Sequence, residues 1–311
     1  MATPLVISPA SLPPLPPKAP VVLLDATFLF QPTPADRDPK LDFYARHLAG
    51  ARFWSLKDVS EPDERFKLQF PSPERFAAAA SAAGIEEDSW VIVYDSEGSF
   101  SAPRTVFTFL AFGHRRVSIL DGGLPAALDA GFPLETGPVA PPTPTSYPVP
   151  TLQPGFVAPF PAVLDLAEHP SASARVVDAR DRSRFAAGHM ANSANVPWRE
   201  LLRRVDRKGD AWEEWKVEGE DGTYSALPSP EDVDGKLVEA LGAEGAAGVK
   251  DGSVTVTNSC GGGLSAAILW LSLRRDGIKS QLYDEVSHPQ LPRSPQSWQG
   301  WTERQAPVEK S

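Results

Sequence analysis

Cys260, the chain's one cysteine, ends the β-branched run Thr255-Val256-Thr257-Asn258-Ser259 and is followed by Gly261-Gly262-Gly263 and then Leu264-Ser265-Ala266-Ala267. Sulfur chemistry runs through the thiolate, so a reactive cysteine needs a place that stabilises an anion. Consecutive glycines let several backbone N–H groups turn toward one point, and a helix starting near Leu264 aims its positive end at the same point. The competing reading is a buried cysteine that acts as a small inert hydrophobe. Three glycines directly after it argue against that reading, because they are poor residues for continuing a strand or a helix. Cysteine phosphatases share the loop logic but need an arginine six positions after the nucleophile. That position is Ala266, and phosphoester hydrolysis loses its main transition-state clamp.

The helix behind the loop, Ala266-Ala267-Ile268-Leu269-Trp270-Leu271-Ser272-Leu273, is apolar nearly all round and predicts a buried crossover, closed by Arg274, Arg275 and Asp276-Gly277. An internal repeat places it in a larger frame. Val22-Leu23-Leu24-Asp25-Ala26-Thr27 matches Val176-Val177-Asp178-Ala179-Arg180, and the segment from His47 to Trp54 matches that from His189 to Trp198. Trp90-Val91-Ile92-Val93-Tyr94-Asp95 matches Ser253-Val254-Thr255-Val256-Thr257-Asn258, and Val117-Ser118-Ile119-Leu120-Asp121 matches Ser280-Gln281-Leu282-Tyr283-Asp284. Short aliphatic strands alternating with helical stretches predict an α/β fold in each half, a mainly parallel sheet flanked by helices. The expected division is residues 1–132, a proline-rich linker over 133–155, and residues 156–311.

Composition sets the outer limits. The 311 residues suffice for two domains, and one cysteine excludes an intrachain disulfide and a cysteine-rich zinc site. A formal charge of −10 argues against nucleic acid as a direct ligand. No apolar run approaches the roughly eighteen residues of a membrane span. A free thiol and the lack of a signal- or transit-peptide pattern make the cytoplasm the default compartment, with a mitochondrial pool left open.

These residues resemble the tandem-domain rhodanese sulfurtransferases, the group that holds thiosulfate and 3-mercaptopyruvate sulfurtransferases. The resemblance runs from Leu23-Leu24-Asp25-Ala26-Thr27 through Ser101-Ala102-Pro103-Arg104, Ala111-Phe112-Gly113-His114 and Leu120-Asp121-Gly122-Gly123. It continues to Val177-Asp178-Ala179-Arg180, Arg184-Phe185, Gly188-His189 and Ser297-Trp298. It implies a catalytic Cys260 opening a six-residue substrate-binding loop of Gly261, Gly262, Gly263, Leu264 and Ser265. It also implies a double displacement in which Cys260 takes a sulfane sulfur from a small-molecule donor as a persulfide and passes it to cyanide, a thiol or a protein. No metal and no cofactor are implied. Arg184 is expected near the thiol, orienting an anionic donor, with Asp178 orienting Arg184; the plainer reading of this stretch is a solvated strand-end ion pair. Aligning Tyr94-Asp95-Ser96-Glu97-Gly98 with Thr257-Asn258-Ser259-Cys260-Gly261 puts Glu97 at the cysteine position and makes the N-terminal domain catalytically silent. His189, matched by His47, is expected to be a hydrogen-bonded fold residue, and Trp298 and Trp301 are expected to pack the last helix.

Several positions depart from the family pattern. Gly262 stands where mercaptopyruvate-type members carry serine, and no cation lies between Cys260 and Ser265, where thiosulfate-type members carry basic residues. Ser55 and Leu68 replace polar residues, and a longer Glu285-Val286-Ser287-His288-Pro289 segment follows Tyr283-Asp284. The loop's Gly-x-Gly form leans toward the mercaptopyruvate branch. Two non-metabolic readings stand beside the enzyme: a sulfur-relay or scaffold protein, for example toward tRNA thiolation, and an inactive tandem binding module with an unreactive, buried thiol.

Overall fold

Aliphatic runs that are buried on both faces can only sit inside a sheet covered on both sides, and the two longest strand pairs of this chain do so. A computed structural model describes residues 3–29, 38–62, 68–208, 222–284 and 297–311. The segment 285–289 singled out in the sequence lies outside the described residues. In the first sheet β1 (Val6–Ile7), β2 (Val21–Asp25), β4 (Arg52–Phe53), β5 (Trp90–Tyr94) and β6 (Val117–Leu120) lie in the order β1-β6-β5-β2-β4, all parallel. The short β3 (His47–Leu48) pairs antiparallel with β7 (Leu134–Glu135). Helices α1 (Pro39–Ala45), α2 (Leu56–Val59), α3 (Pro73–Ala82), α4 (Ala102–Ala111) and α5 (Gly123–Asp129) belong with this sheet.

The second sheet repeats the first strand for strand. Its members β8 (Val157–Ala158), β9 (Ala174–Asp178), β11 (Ala194–Asn195), β14 (Thr255–Ser259) and β15 (Ser280–Tyr283) lie in the order β11-β9-β14-β15-β8. All are parallel, and β10 (His189–Met190) pairs antiparallel with β16 (Val308–Glu309). The helices here are α6 (Phe160–Glu168), α7 (Arg182–Ala187), α8 (Trp198–Leu201), α9 (Pro230–Asp251), α10 (Leu264–Arg275) and α11 (Ser297–Glu303). α10 is the crossover expected from its sequence: Ala266 through Leu273 are buried, and Arg274 and Arg275 occupy its last turn. The repeat extends to side chains. His47 stacks on Phe43, donates from its ring Nδ1 to Phe43 O (2.7 Å) and faces Glu135 at 3.8 Å. His189 does the same with Phe185, its carbonyl (2.9 Å) and Glu309 (3.7 Å), so both histidines are fold residues.

The chain is divided less simply than its repeat. One compact unit comprises 1–59, 73–152 and 203–226, and the other 60–72, 153–202 and 227–311. The antiparallel hairpin of β12 (Arg203–Asp206) and β13 (Thr223–Ala226) thus belongs to the first unit, where Ser225 N–H donates to Glu97 O at 3.1 Å. Much of the expected linker belongs there too, since Thr145 N–H bonds Ser81 O and the Tyr147 hydroxyl meets His114 at 3.0 Å.

Strand register corrects the sequence alignment of the two halves. Asp25 lies level with Tyr94, and Asp178 lies level with Ser259. Ala26 N–H bonds Tyr94 O and Ala179 N–H bonds Ser259 O, both at 2.8 Å, and the next carbonyls, of Asp95 and Cys260, accept from Leu124 and Trp298. Asp95, not Glu97, therefore occupies the position of Cys260, and its loop to the helix start at Ala102 is longer than that from Cys260 to Leu264. A slip of two residues preserves the in-and-out alternation of a strand, so side-chain patterning does not reveal it.

The first unit fills its loop with a carboxylate. Asp95 accepts N–H bonds from Glu97 (3.0 Å), Phe100 (3.0 Å), Ser101 (2.8 Å) and Ala102 (2.8 Å). Neighbouring Asp25 accepts from the N–H and hydroxyl of Thr27, with no cation among these bonds. Burial lifts the Asp25 carboxyl from 3.8 to about 7; the Thr27 bonds oppose this and the charge of Asp95 adds to it. Burial raises Asp95 as well. Between these limits the folded chain keeps a proton that the unfolded chain has released. Asp25 therefore stabilises the fold fully below about pH 4, and that contribution is lost as the pH rises through about 7. Asp25→Asn cannot ionise, so its urea midpoint relative to the wild type should rise steadily between pH 5 and pH 8. A constant offset across that range would contradict the assignment.

Candidate active site

Cys260 leaves the sheet at the C-terminal end of β14 and has 1% of its surface exposed. Ligands of parallel α/β sheets gather at this end of the strands. The loop behind it reaches α10 through Gly263, whose φ of +79° glycine adopts without strain. That turn points the Gly263 N–H at the sulfur, 3.1 Å away. Among the described residues it is the hydrogen bond that reaches Sγ, so one amide, rather than several, is within bonding distance of the atom. Gly261 and Gly262 are partly exposed, Leu264 is buried and Ser265 is partly buried in the first turn of α10. A Cβ placed on Gly261 would meet nothing within 4 Å, so the loop has an unfilled side next to the thiol.

The backbone of Cys260 is gripped by Ser297. The serine hydroxyl accepts from Cys260 N–H (3.2 Å), donates to Cys260 O (2.7 Å) and meets Ser259 Oγ at 3.1 Å. Ser297 is fully buried at φ +40°, a left-handed conformation uncommon outside glycine. At the matching place the first unit has Gly123, at φ +55°. A side chain is thus carried where the first unit does without one, and its strain is offset by three bonds around the thiol. Trp298 adds a backbone N–H to Cys260 O at 3.1 Å.

Of the charged residues expected here, Asp178 and Arg184 are not joined. Asp178 sits buried at the end of β9, one strand from Cys260, and its carboxylate is taken by Arg180, with contacts of 2.6, 2.8 and 3.1 Å. Arg180 also donates to Gly188 O at 2.9 Å and lies under the Trp298 ring, 4.2 Å from its centroid. Arg184 lies exposed in the last turn of α7. Trp301 is fully buried, edge-on to Tyr283, and packs the last helix as expected. Sequence reasoning passed over Ser297 and Arg180. Their signals were the Ser297-Trp298 pair and the third residue of Asp178-Ala179-Arg180, neither of which announces its distant partner, Cys260 for Ser297 and Trp298 for Arg180.

No family model matches the chain. A 3-mercaptopyruvate sulfurtransferase of Escherichia coli K12 is 33% identical over 199 residues, 60% of this chain and 69% of that protein. The "probable 3-mercaptopyruvate sulfurtransferase" of Schizosaccharomyces pombe is 29% identical over 296 residues, 91% of this chain and 87% of its relative. The crystal structure of SseA from Escherichia coli, titled for the rhodanese fold of 3-mercaptopyruvate sulfotransferases, superposes with TM-score 0.72 at 26% identity and covers 92% of this chain and 100% of its own. Tum1 of Saccharomyces cerevisiae shares the fold at TM-score 0.73 and 23% identity, over 99% of this chain and 97% of its own. The protein is a tandem-domain sulfurtransferase of the rhodanese family, in the class of 3-mercaptopyruvate and thiosulfate sulfurtransferases. Among the described residues no helix is long and apolar enough to cross a membrane.

The Ser297 grip predicts a cost to its loss. Ser297→Ala leaves the Cys260 N–H and its neighbours short of a buried partner and should destabilise the fold by about 1–3 kcal/mol. Ser297→Gly relieves the left-handed strain but also drops the hydroxyl, so it should unfold at higher urea than Ser297→Ala while both lose thiol reactivity. Urea denaturation and alkylation rates check the pair; an alanine variant that matches the wild type in both removes the grip from the site.

Proposed function

We propose that Cys260 carries the transferred sulfur as a persulfide, with 3-mercaptopyruvate as donor. What supports this most is the Gly263 N–H at 3.1 Å from Sγ, in a loop that opens a buried helix at the end of a parallel strand. The Cys260 thiolate attacks the donor sulfur, a new S–S bond forms, the donor's C–S bond breaks, and its electron pair takes up a proton to leave pyruvate. An acceptor such as cyanide or a thiol then attacks the outer sulfur, the S–S bond breaks, and the thiolate returns. The positive end of α10 and the Gly263 N–H stabilise the thiolate and the persulfide anion.

The absence of any cation between Cys260 and Ser265 favours the monoanionic mercaptopyruvate over the dianionic thiosulfate. The donors named for the Escherichia coli and Schizosaccharomyces pombe relatives agree with that choice. Arg184, exposed in the last turn of α7, serves as the donor's carboxylate anchor, and Gly261 to Ser265 form the wall of the sulfur pocket. Asp178 acts through Arg180. The first unit is silent, because the Asp95 carboxylate at its cysteine position cannot carry a sulfane sulfur. A thiol with 1% exposure suits a small donor and small acceptors better than direct relay between proteins. A lone free cysteine persists best in a reducing compartment, which favours the cytoplasm and leaves a mitochondrial pool open.

Intact mass after incubation with 3-mercaptopyruvate or with thiosulfate, without reductant, tests the reading. The wild type should gain one sulfur mass, faster from 3-mercaptopyruvate, and lose it to cyanide, while Cys260→Ser gains none. An adduct on Cys260→Ser, or none on the wild type, overturns it.

A further inference from the structure

The two units are an internal control: one frame with the nucleophile and one without. At the site they differ in a pair of positions that touch each other. Arg180 stands where the first unit has Thr27, two residues after the matching aspartates, and Trp298 stands where it has Leu124, as the matching bonds to the Cys260 and Asp95 carbonyls show. In the first unit Thr27 bonds Asp25 through its own N–H and hydroxyl. In the second the guanidinium fork fills the Asp178 carboxylate, reaches Gly188 O at 2.9 Å and presents its flat face to the Trp298 ring at 4.2 Å.

Arg180 is only 6% exposed, so its charge is compensated by Asp178 and is not offered to solvent. Its free face is spent on the indole, a contact that needs a planar cation and that lysine cannot copy. Trp298 in turn donates its N–H to Cys260 O at 3.1 Å, and its chain neighbour Ser297 holds Cys260 N–H and O. Gly188 lies beside the contact: a Cβ there would meet the Trp298 ring at 3.4 Å, an ordinary van der Waals distance. The contacts run without a break from Asp178 through Arg180 and Trp298 to the cysteine backbone.

We infer that Arg180 is a positioning residue of the sulfur-transfer site, which acts by stacking on Trp298 and so fixes the Ser297-Trp298 grip on Cys260. This rests on Cys260 being the sulfur carrier. The expected signature is a fall in the rate of the sulfur-loading step with little change in donor KM, because neither side chain is assigned to the donor. Displacing reacting atoms by about an ångström can cost a hundredfold, so a loss between tenfold and a hundredfold is expected.

Arg180→Lys and Trp298→Leu, singly and together, should each slow Cys260 alkylation by iodoacetamide and alter its pH profile. Each should also slow sulfur loading at unchanged KM. The double variant should lose no more than the worse single one, since both act through one contact. A merely structural arginine would lower the melting temperature and leave the alkylation profile of the folded protein unmoved, and that result overturns the inference, as do losses that multiply in the double variant. Should Arg180→Lys not fold, Trp298→Leu, which leaves the Asp178–Arg180 pair intact, decides alone: wild-type alkylation sinks the inference and slowed alkylation upholds it. Failure of the wild type to load sulfur from either donor would strike the persulfide reading, whereas alkylation still reports how the thiol is held.

Discussion

The level pairing of β9 with β14 sets the height at which the chain leaves the second sheet, and the site is built from that level upward. Ser259 lies beside Asp178, so Cys260 is the first residue free of the ladder and Arg180 rises two residues above its own strand end. A parallel pair fixed by five successive residue partners cannot slip by one without turning buried side chains to the wrong face. The thiol inherits its position from backbone hydrogen bonds before any side chain takes part.

That same level carries two different electrostatic solutions in the two units. In the first, Asp25 and Asp95 lie buried with only neutral donors around them, so burial favours their protonated forms. In the second, the carboxylate at the Asp25 position is held by a guanidinium, and the place of Asp95 is taken by sulfur. The loop amides serve a resident carboxylate in one copy, four of them at 2.8 to 3.0 Å, and leave the other copy's loop to a sulfur with a single bonded amide.

The fold was legible from the chain because it is said twice: the parallel sheet in each half, the paired histidines and the buried crossover helix all follow from matched segments. The Cys260 loop was legible because glycine after cysteine is a strong local statement. The two-residue slip that placed Glu97 instead of Asp95 opposite Cys260 was not, since a strand pattern repeats every two residues and only hydrogen bonds fix the level. Ser297 was invisible for another reason. Its left-handed backbone is a property of the folded site, and the serine side chain gives no sign of it. Arg184 drew attention over Arg180 because the resemblance placed it near the thiol, whereas the side chain that reaches Asp178 is decided by the distance from the strand end.

Neither compact unit is a continuous stretch of chain. The first is closed by a hairpin that ends at Ala226, and the second begins with a segment that starts at Ser60. On the ribosome, where domains form as their residues emerge, the first unit waits for a piece encoded well after the second sheet has begun. The two repeats are therefore not independent: no single cut releases either one whole, and a gene encoding only the first half would leave its product short of two strands.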